Sequence, residues 1–406
     1  MYRSLVKGAT HAAVLIASIL STTVSGRADG FLEIDLVSDL PGRAKILDPN
    51  LVNPWGVATS STSPFWVADN NAGLATLYNT EGTIQGLRVS IPTPPDPLGS
   101  SGTPTGTVFN INGGQLGGFQ ITGFKPSGTN VVPSSGSAVF LFATEDGTII
   151  GWNPAVNPKG FDPTLAGKYG ILALDNSGDN FTNPNPNTQS GAVYKGLAIA
   201  QVDTTISLGG FVIYVTNFRS GKVEVYDNQF KPVTTLPAGA FTDPTLPNFY
   251  APFNIVEING KLVVTYAVQN PARHDDIAGE SHGIVNVFNL DGSGRQRLVQ
   301  HGQLNSPWGV AVAPATFGEF AGALLIGNFG NGHINAFDPG TGAFLGKVRN
   351  PHGQTIVIDG LWTLRVGNGA NGGDLDKVYF TAGLDHETHG LFGSLCFDQS
   401  VPLNCK

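Results

Sequence analysis

Histidine occurs only eight times in the 406 residues, and four of the eight fall in two short stretches. One reads Arg273-His-Asp-Asp-Ile-Ala-Gly-Glu-Ser-His282 and the other Asp385-His-Glu-Thr-His389. Neutral imidazoles beside hard carboxylates suit zinc, copper, manganese or iron, whereas carboxylates and carbonyls alone suit calcium. The pattern therefore predicts a metal-binding cluster of His274, Asp275, Asp276, His282, His386 and His389, with Glu280 and Glu387 as acid/base groups beside it. Zinc, calcium or copper is the cofactor such a cluster would take. Neither string is a His-Glu-x-x-His helix motif, so solvated polar loops are the competing reading.

Other candidates are sparser. Asp175-Asn-Ser-Gly-Asp-Asn180 carries oxygen side chains at alternate positions, as a calcium loop does, but lacks the glycine at its sixth position and the glutamate at its twelfth. Asn180-Phe-Thr182 is a glycosylation sequon. No Gly-x-Ser-x-Gly elbow, phosphate-binding loop or dinucleotide fingerprint occurs, which argues against serine hydrolase, NTPase and Rossmann chemistry. Cys396 and Cys405 are the only cysteines, a close pair expected to form a disulfide that pins the C-terminal tail.

The elements that must position these residues come from a repeat. Pro-Trp-Gly-Val occurs at Pro54 to Val57 and again at Pro307 to Val310, followed by Phe65-Trp-Val-Ala-Asp-Asn-Asn-Ala-Gly in one case and Leu324-Leu-Ile-Gly-Asn-Phe-Gly-Asn-Gly in the other. Each unit is a strand, a loop, a second apolar strand, a Gly-rich turn and a third strand, most of a propeller blade. Aligning Gly56, Gly106, Gly196, Asn254, Gly309 and Thr363 gives six units separated by 50, 90, 58, 55 and 54 residues. The spacing of 90 leaves seven units as the alternative, yet its extra stretch, 153–191, holds one strand-like run at Gly170-Ile-Leu-Ala-Leu and reads otherwise as a decorated loop. The fold predicted is an all-β, six-bladed propeller. Phe31 to Val37 alternates in period two and is expected to pair with Leu391 to Phe397, closing the last blade.

In such a blade the loop before the first strand and the loop between the second and third emerge on one face. That face is expected to carry the Asn-Pro-Trp-Gly openings together with Asp69, Asn70, Glu145, Asn217, Arg219 and Asn328, with Asn254 near the start of an innermost strand, where an axial calcium ligand would stand. Asp and Asn at strand ends also serve turns by bonding their own backbone, which is the plainer reading. The tryptophans are expected as core wedges between blades.

Composition sets the class and narrows the partners. Gly 54, Pro 27, apolar residues 41% and charged residues 13%, roughly half the globular average, describe a turn-rich chain with a full core. A formal charge of −8 without any Lys/Arg cluster argues against nucleic acid or an anionic membrane as partner. Arg3 and Lys7 precede an apolar run from Ala12 to Leu20, too short to span a bilayer, and small residues follow it. Residues 1–28 therefore read as a secretory signal and 29–406 as one propeller with a short tail. The mature chain is expected to be a secreted or periplasmic monomer.

Asn53-Pro-Trp-Gly-Val with Val67-Ala-Asp-Asn-Asn-Ala-Gly, and the second copy Asn305-Ser-Pro-Trp-Gly-Val, resemble an uncharacterised exported bacterial propeller family, distantly similar to NHL-type propellers. Some members of that family carry a PEP-CTERM sorting tail, whereas this chain ends Asn404-Cys-Lys. The resemblance implies fold and export and names no activity. The leading expectation is a module that binds a small molecule, glycan or extracellular protein on one loop face. The alternative is a metal-dependent hydrolase or lyase at the mouth of the ring, and a copper or quinone oxidoreductase stands third.

Overall fold

The computed structural model describes residues 29–112, 118–178, 191–398 and 405. The predicted secretory signal, Asp179 and the sequon Asn180-Phe-Thr182 lie outside the described residues. Six antiparallel sheets follow one another along the chain, as the repeat requires. Blade 1 comprises Pro54–Ala58, Phe65–Asp69, Leu74–Tyr78 and Val89–Ser90. Blade 2 comprises Pro104–Phe109, Phe140–Thr144, Thr148–Trp152 and Ile171–Asp175. Blade 3 has three strands, Tyr194–Gln201, Phe211–Asn217 and Lys222–Asp227, with a single bridge from Tyr226 to Pro232 in place of the fourth. Blades 4 and 5 are complete and open with Tyr250–Ile258 and Pro307–Val312.

Blade 6 contributes Leu361–Val366, Val378–Gly383 and His389–Asp398, and its fourth strand is the N-terminal Gly30–Ser38. The register runs from Phe31 opposite Phe397 to Ser38 opposite Leu391, the closure expected from the alternating pattern. Phe31 is buried between Phe317, Phe320 and Phe397, so the closing strand is also held by packing on blade 5. Cys396 and Cys405 are joined by a disulfide with a Cα–Cα separation of 5.8 Å. The excess length between the second and third units is divided: Ile171–Asp175 completes blade 2, and a hairpin of Gln120–Ser127 with Asn130–Ser137 is inserted between that blade's first two strands.

One local feature recurs in every blade. The pairing of first and second strands slips by a bulge at the opening motif, between Pro54 and Val57, Pro104 and Thr107, Tyr194 and Leu197, Pro252 and Asn254, Pro307 and Gly309, and Leu361 and Leu364. A bulge re-aims one side chain. At the bulge the innermost strands of adjacent blades meet backbone to backbone. A Cβ at Gly106 would lie 2.9 Å from the Leu197 Cβ, one at Gly196 would lie 2.8 Å from the Asn254 Cα, and one at Gly309 would lie 2.7 Å from the Trp362 carbonyl oxygen. Hydrogen bonds cross the same seams, from Thr105 Oγ1 to the Tyr194 carbonyl (2.9 Å), from Asn254 Nδ2 to the Trp308 carbonyl (2.7 Å) and from Thr363 Oγ1 to the Trp55 carbonyl (2.8 Å). Gly106→Ala is expected to destabilise the ring by about 3 kcal/mol, because neither facing backbone has a side chain that can yield; urea unfolding of variant and parent measures it.

Candidate functional site

The bulge places one residue per blade at the axis: Trp55, Thr105, Lys195, Phe253, Trp308 and Trp362. Four are aromatic. Trp55 and Trp362 stack at 3.5 Å between ring centroids, Trp308 meets both edge-on, and Phe253 lies 6.0 Å from Trp362. With Phe218 and Phe329 they form a buried floor across the ring. Trp55, Trp308 and Trp362 are thus axial, whereas Trp66 and Trp152 are wedged between blades 1 and 2 as expected, Trp66 stacking on Phe140 at 4.2 Å. Blade 3 departs from the pattern by placing a lysine in this layer.

Lys195 is 2% exposed, its ammonium 4.9 Å above the Trp55 ring and 5.9 Å from that of Phe218. Glu145, in the turn between the second and third strands of blade 2, receives a hydrogen bond from it on Oε1 and one from Asn70 Nδ2 on Oε2 (2.9 Å). The blade 4 insertion folds over from the next side, its turn closed by Asn270, whose side chain takes the His274 amide at 3.0 Å. This sets Asp275 Oδ1 3.7 Å from the lysine and 2.7 Å from His274 Nδ1. Asp276 lies beneath, with one carboxylate oxygen buried and without a hydrogen-bond partner.

The fourth acid comes from blade 6. Asp385, His386 and Glu387 all have positive φ, of 50°, 56° and 66°, a conformation side chains with a Cβ adopt at a cost of roughly 1 kcal/mol or more each. The turn carries Glu387 to Asn53, whose Nδ2 donates to its Oε2 at 2.8 Å and whose Oδ1 accepts from Trp362 Nε1 at 3.0 Å. Asn53 thereby ties the acid to the floor. A cleft of about 410 Å³ lined by Pro94, Glu145, Asp146, Ser177 and Arg219 adjoins the cluster.

Burial sets the titration of two of these groups and neighbouring charges that of two others. It raises Asp276 above the usual carboxylate range, with Ser306 and Lys195 opposing. It raises Glu387 to about 7, helped by the charge of Glu145 and opposed by the Asn53 hydrogen bond. Burial acts the same way on Asp275, but His274 and Lys195 outweigh it and bring that group to about 2. For Lys195, burial favours the neutral amine, yet Glu145 and Asp275 prevail and hold its pKa above the ordinary value. A protonated lysine from blade 3 among acids from blades 2, 4 and 6 is the centre of the site.

The six-residue metal cluster expected from sequence is not assembled. His274, Asp275 and Asp276 reach the mouth, but His282 bonds the Ile277 carbonyl at 2.9 Å within its own loop and His389 pairs with Asp39 at 2.7 Å. His386 and Glu280 are exposed and make no hydrogen bond to the cluster. Three atoms from Glu145, His274 and Asp275 do lie within 4.8 Å of one another, a donor set suited to a first-row divalent ion. Lys195 already lies against two of the three, so its charge stands where such an ion would bring its own.

Of the residues assigned to the binding face, Asn70 and Glu145 belong to the site and most others serve turns. Asp69 is fully buried in blade 1, accepts the Thr76 amide at 3.1 Å and is pushed well above the usual range by burial. Asn217 bonds Glu224 (2.7 Å), Arg219 the Gly191 carbonyl (2.9 Å) and Asn328 the Gln303 carbonyl (2.8 Å). Both ends of the Asn254 amide are engaged, with Trp308 O and with Ile255 N, so it cross-links strands. Asp175 accepts from Ser177 at 3.0 Å and Asn176 donates to Tyr194 and Tyr226, which gives the described part of the calcium-like loop a structural role. Lys195 escaped sequence reasoning, although it precedes the aligned Gly196 and its departure from Trp was the available signal, whereas Asn53 belongs to an opening already expected on this face.

Over 369 residues the chain is 33% identical to uncharacterized protein R648 of Acanthamoeba polyphaga mimivirus, a match covering 90% of this chain and 80% of that one. It belongs to the R648 family. Uncharacterized protein L690 of the same virus is 31% identical over 369 residues, covering 90% of this chain and 86% of its own. No family model matches the chain. Among solved structures, streptogramin B lyase aligns over 92% of this chain and 99% of its own at 11% identity with a TM-score of 0.45, which carries no argument about activity. The propeller resemblance holds at the level of fold, and these R648-family relatives are viral. Among the described residues no helix is long and apolar enough to cross a membrane.

A carboxyl whose folded pKa is raised binds an extra proton on folding, so its contribution to stability is greatest at low pH and is lost as pH rises through about 4.5 to 7. Glu387→Gln is expected to remove that decline and leave the variant roughly 1 to 3 kcal/mol more stable than the parent at pH 8. Glu33, also raised to about 7 by burial, stays in both proteins, so the difference between their stability–pH curves isolates Glu387.

Proposed function

We propose that this R648-family propeller is a ligand-binding module whose mouth holds a small hydroxylated molecule, a glycan or its monosaccharide unit. The observation that carries the reading is Lys195, the one charged group in a layer that holds four aromatic residues and Thr105, surrounded by Glu145, Asp275 and Asp276. Ring closure does not require it, because the equivalent position in four blades is aromatic. Taking such charges out of water costs several kcal/mol per ion, a cost that function rather than folding explains. Ammonium and amide donors alternate here with carboxylate acceptors above indole rings, and the adjoining cleft has room for one or two sugar rings.

Export belongs to the same reading. The residue pattern of 1–28 as a secretory leader for a 29–406 propeller, and the disulfide between Cys396 and Cys405, support a secreted or periplasmic chain that meets an extracellular ligand. A second reading, hydrolase or lyase chemistry at the same mouth, is favoured specifically by Glu387, whose pKa near 7 suits a general acid or base.

Lys195→Met alone should destabilise the fold by about 3 to 5 kcal/mol, since it strands Glu145 in a dry site, while Lys195→Met with Glu145→Gln should recover most of that loss. A panel of mono- and disaccharides at pH 7, read by tryptophan fluorescence and thermal shift, tests binding directly. At least one sugar should perturb the parent and leave the folded double variant unchanged. Silence across the panel would remove the glycan reading, and an equal response in both proteins would move the ligand away from Lys195.

A further inference from the structure

The aromatic floor divides the axis in two. Each innermost strand enters beside the floor and runs away from the mouth, and beyond the floor all six surround a cavity of about 700 Å³. Its wall has an aliphatic part, with Val57, Val108, Ile199, Val310, Leu364 and Val366, beside polar groups such as Thr107 and Thr363. Arg365 breaks that wall. Its Nη2 donates to Thr59 Oγ1 at 3.0 Å and its Nη1 lies 3.4 Å from the Val57 carbonyl, while Nε is buried and has no hydrogen-bond partner.

Arg365 also lacks a counter-charge. Lys195 has Glu145, Arg295 and Arg297 have Asp243, Lys377 has Asp374, and Arg219, the neighbouring case with an unpartnered Nε, feels Asp275. Among the described residues no carboxylate forms an ion pair with Arg365. Glu257, an acid on the cavity wall, is exposed and accepts the Gly260 amide at 2.6 Å. Burial lowers the guanidinium to about 10, which leaves it cationic at neutral pH. A fixed positive charge that opens onto a cavity of this size, with carbonyl and hydroxyl partners on one side only, presents its remaining donors to an anion.

We propose that the channel below the aromatic floor is a second ligand site, for a monocarboxylate with a short aliphatic body, its carboxylate held by Arg365 and its chain lying against the valine and leucine wall. The aliphatic lining selects against a bare inorganic anion, and the single guanidinium matches one carboxylate. The site is independent of the mouth, because the floor of Trp55, Trp308 and Trp362 lies between them.

The test is calorimetric titration of the 29–406 chain with octanoate, acetate, phosphate and octanol at pH 7. Octanoate is expected to bind, with acetate and octanol each at least tenfold weaker, one for want of the chain and the other for want of the charge. Arg365→Gln should weaken octanoate tenfold or more, and Arg365→Lys, which keeps the charge, should restore part of that loss. If the Gln variant does not fold, the Lys variant and the octanoate-to-octanol ratio in the parent still decide. Equal binding of octanoate and octanol, equal binding to parent and Arg365→Gln, or preference for phosphate would each overturn the proposal.

Discussion

The close approach of neighbouring innermost strands at each opening motif is the constraint on which the rest of this molecule depends. Gly56, Gly106, Gly196 and Gly309 stand where any side chain would meet the next blade's backbone or the base of its side chain, and the bulge beside them turns the preceding residue toward the axis. With the seams this tight, the ring can be crossed by side chains from opposite blades, and a floor of four aromatic residues results. A wider ring would leave a wet pore. The same contact therefore sets the blade spacing, closes the axis and creates two separate compartments.

Electrostatics then distinguishes those compartments. On the mouth side Lys195 faces an excess of acid, and the local balance is negative once Glu145 and Asp275 are ionised. On the far side no carboxylate among the described residues forms an ion pair with Arg365. Buried charges normally come paired because desolvation is costly, yet here an overcompensated cation and one without an ion-pair partner are separated by a layer of indole rings. Strain is concentrated at the mouth as well, where three successive residues with positive φ carry Glu387 inward.

Much of the architecture was legible because it is periodic. Alternation in Phe31 to Val37, glycine after the axial residue and the repeat of Pro-Trp-Gly-Val each report a local rule that every blade obeys, and closure follows from the missing last strand. The inserted hairpin from Gln120 to Ser137 was not legible, since its strands are polar, with Lys125, Asn130 and Ser134 among them, and match no blade strand. The histidines misled for a related reason. His282 and His274 are eight residues apart in one loop, yet one turns back on its own backbone and the other reaches Asp275, and loop closure decides between these outcomes.

By itself, then, the sequence determined the number of blades, the order of their strands and the pairing that closes the ring, because these follow from short-range patterning and a unit repeated with little change. It also held the identity of the axial residues, Lys195 included, since each precedes an aligned position. Only the tertiary structure decided which charges meet. Glu145, Lys195, Asp275 and Glu387 come from four blades and are separated by as many as 242 residues in the chain, so no local pattern couples them. The shifts of Lys195, Asp275 and Glu387 follow from burial together with the charges that the closed ring sets beside each of them, which is a property of no single segment.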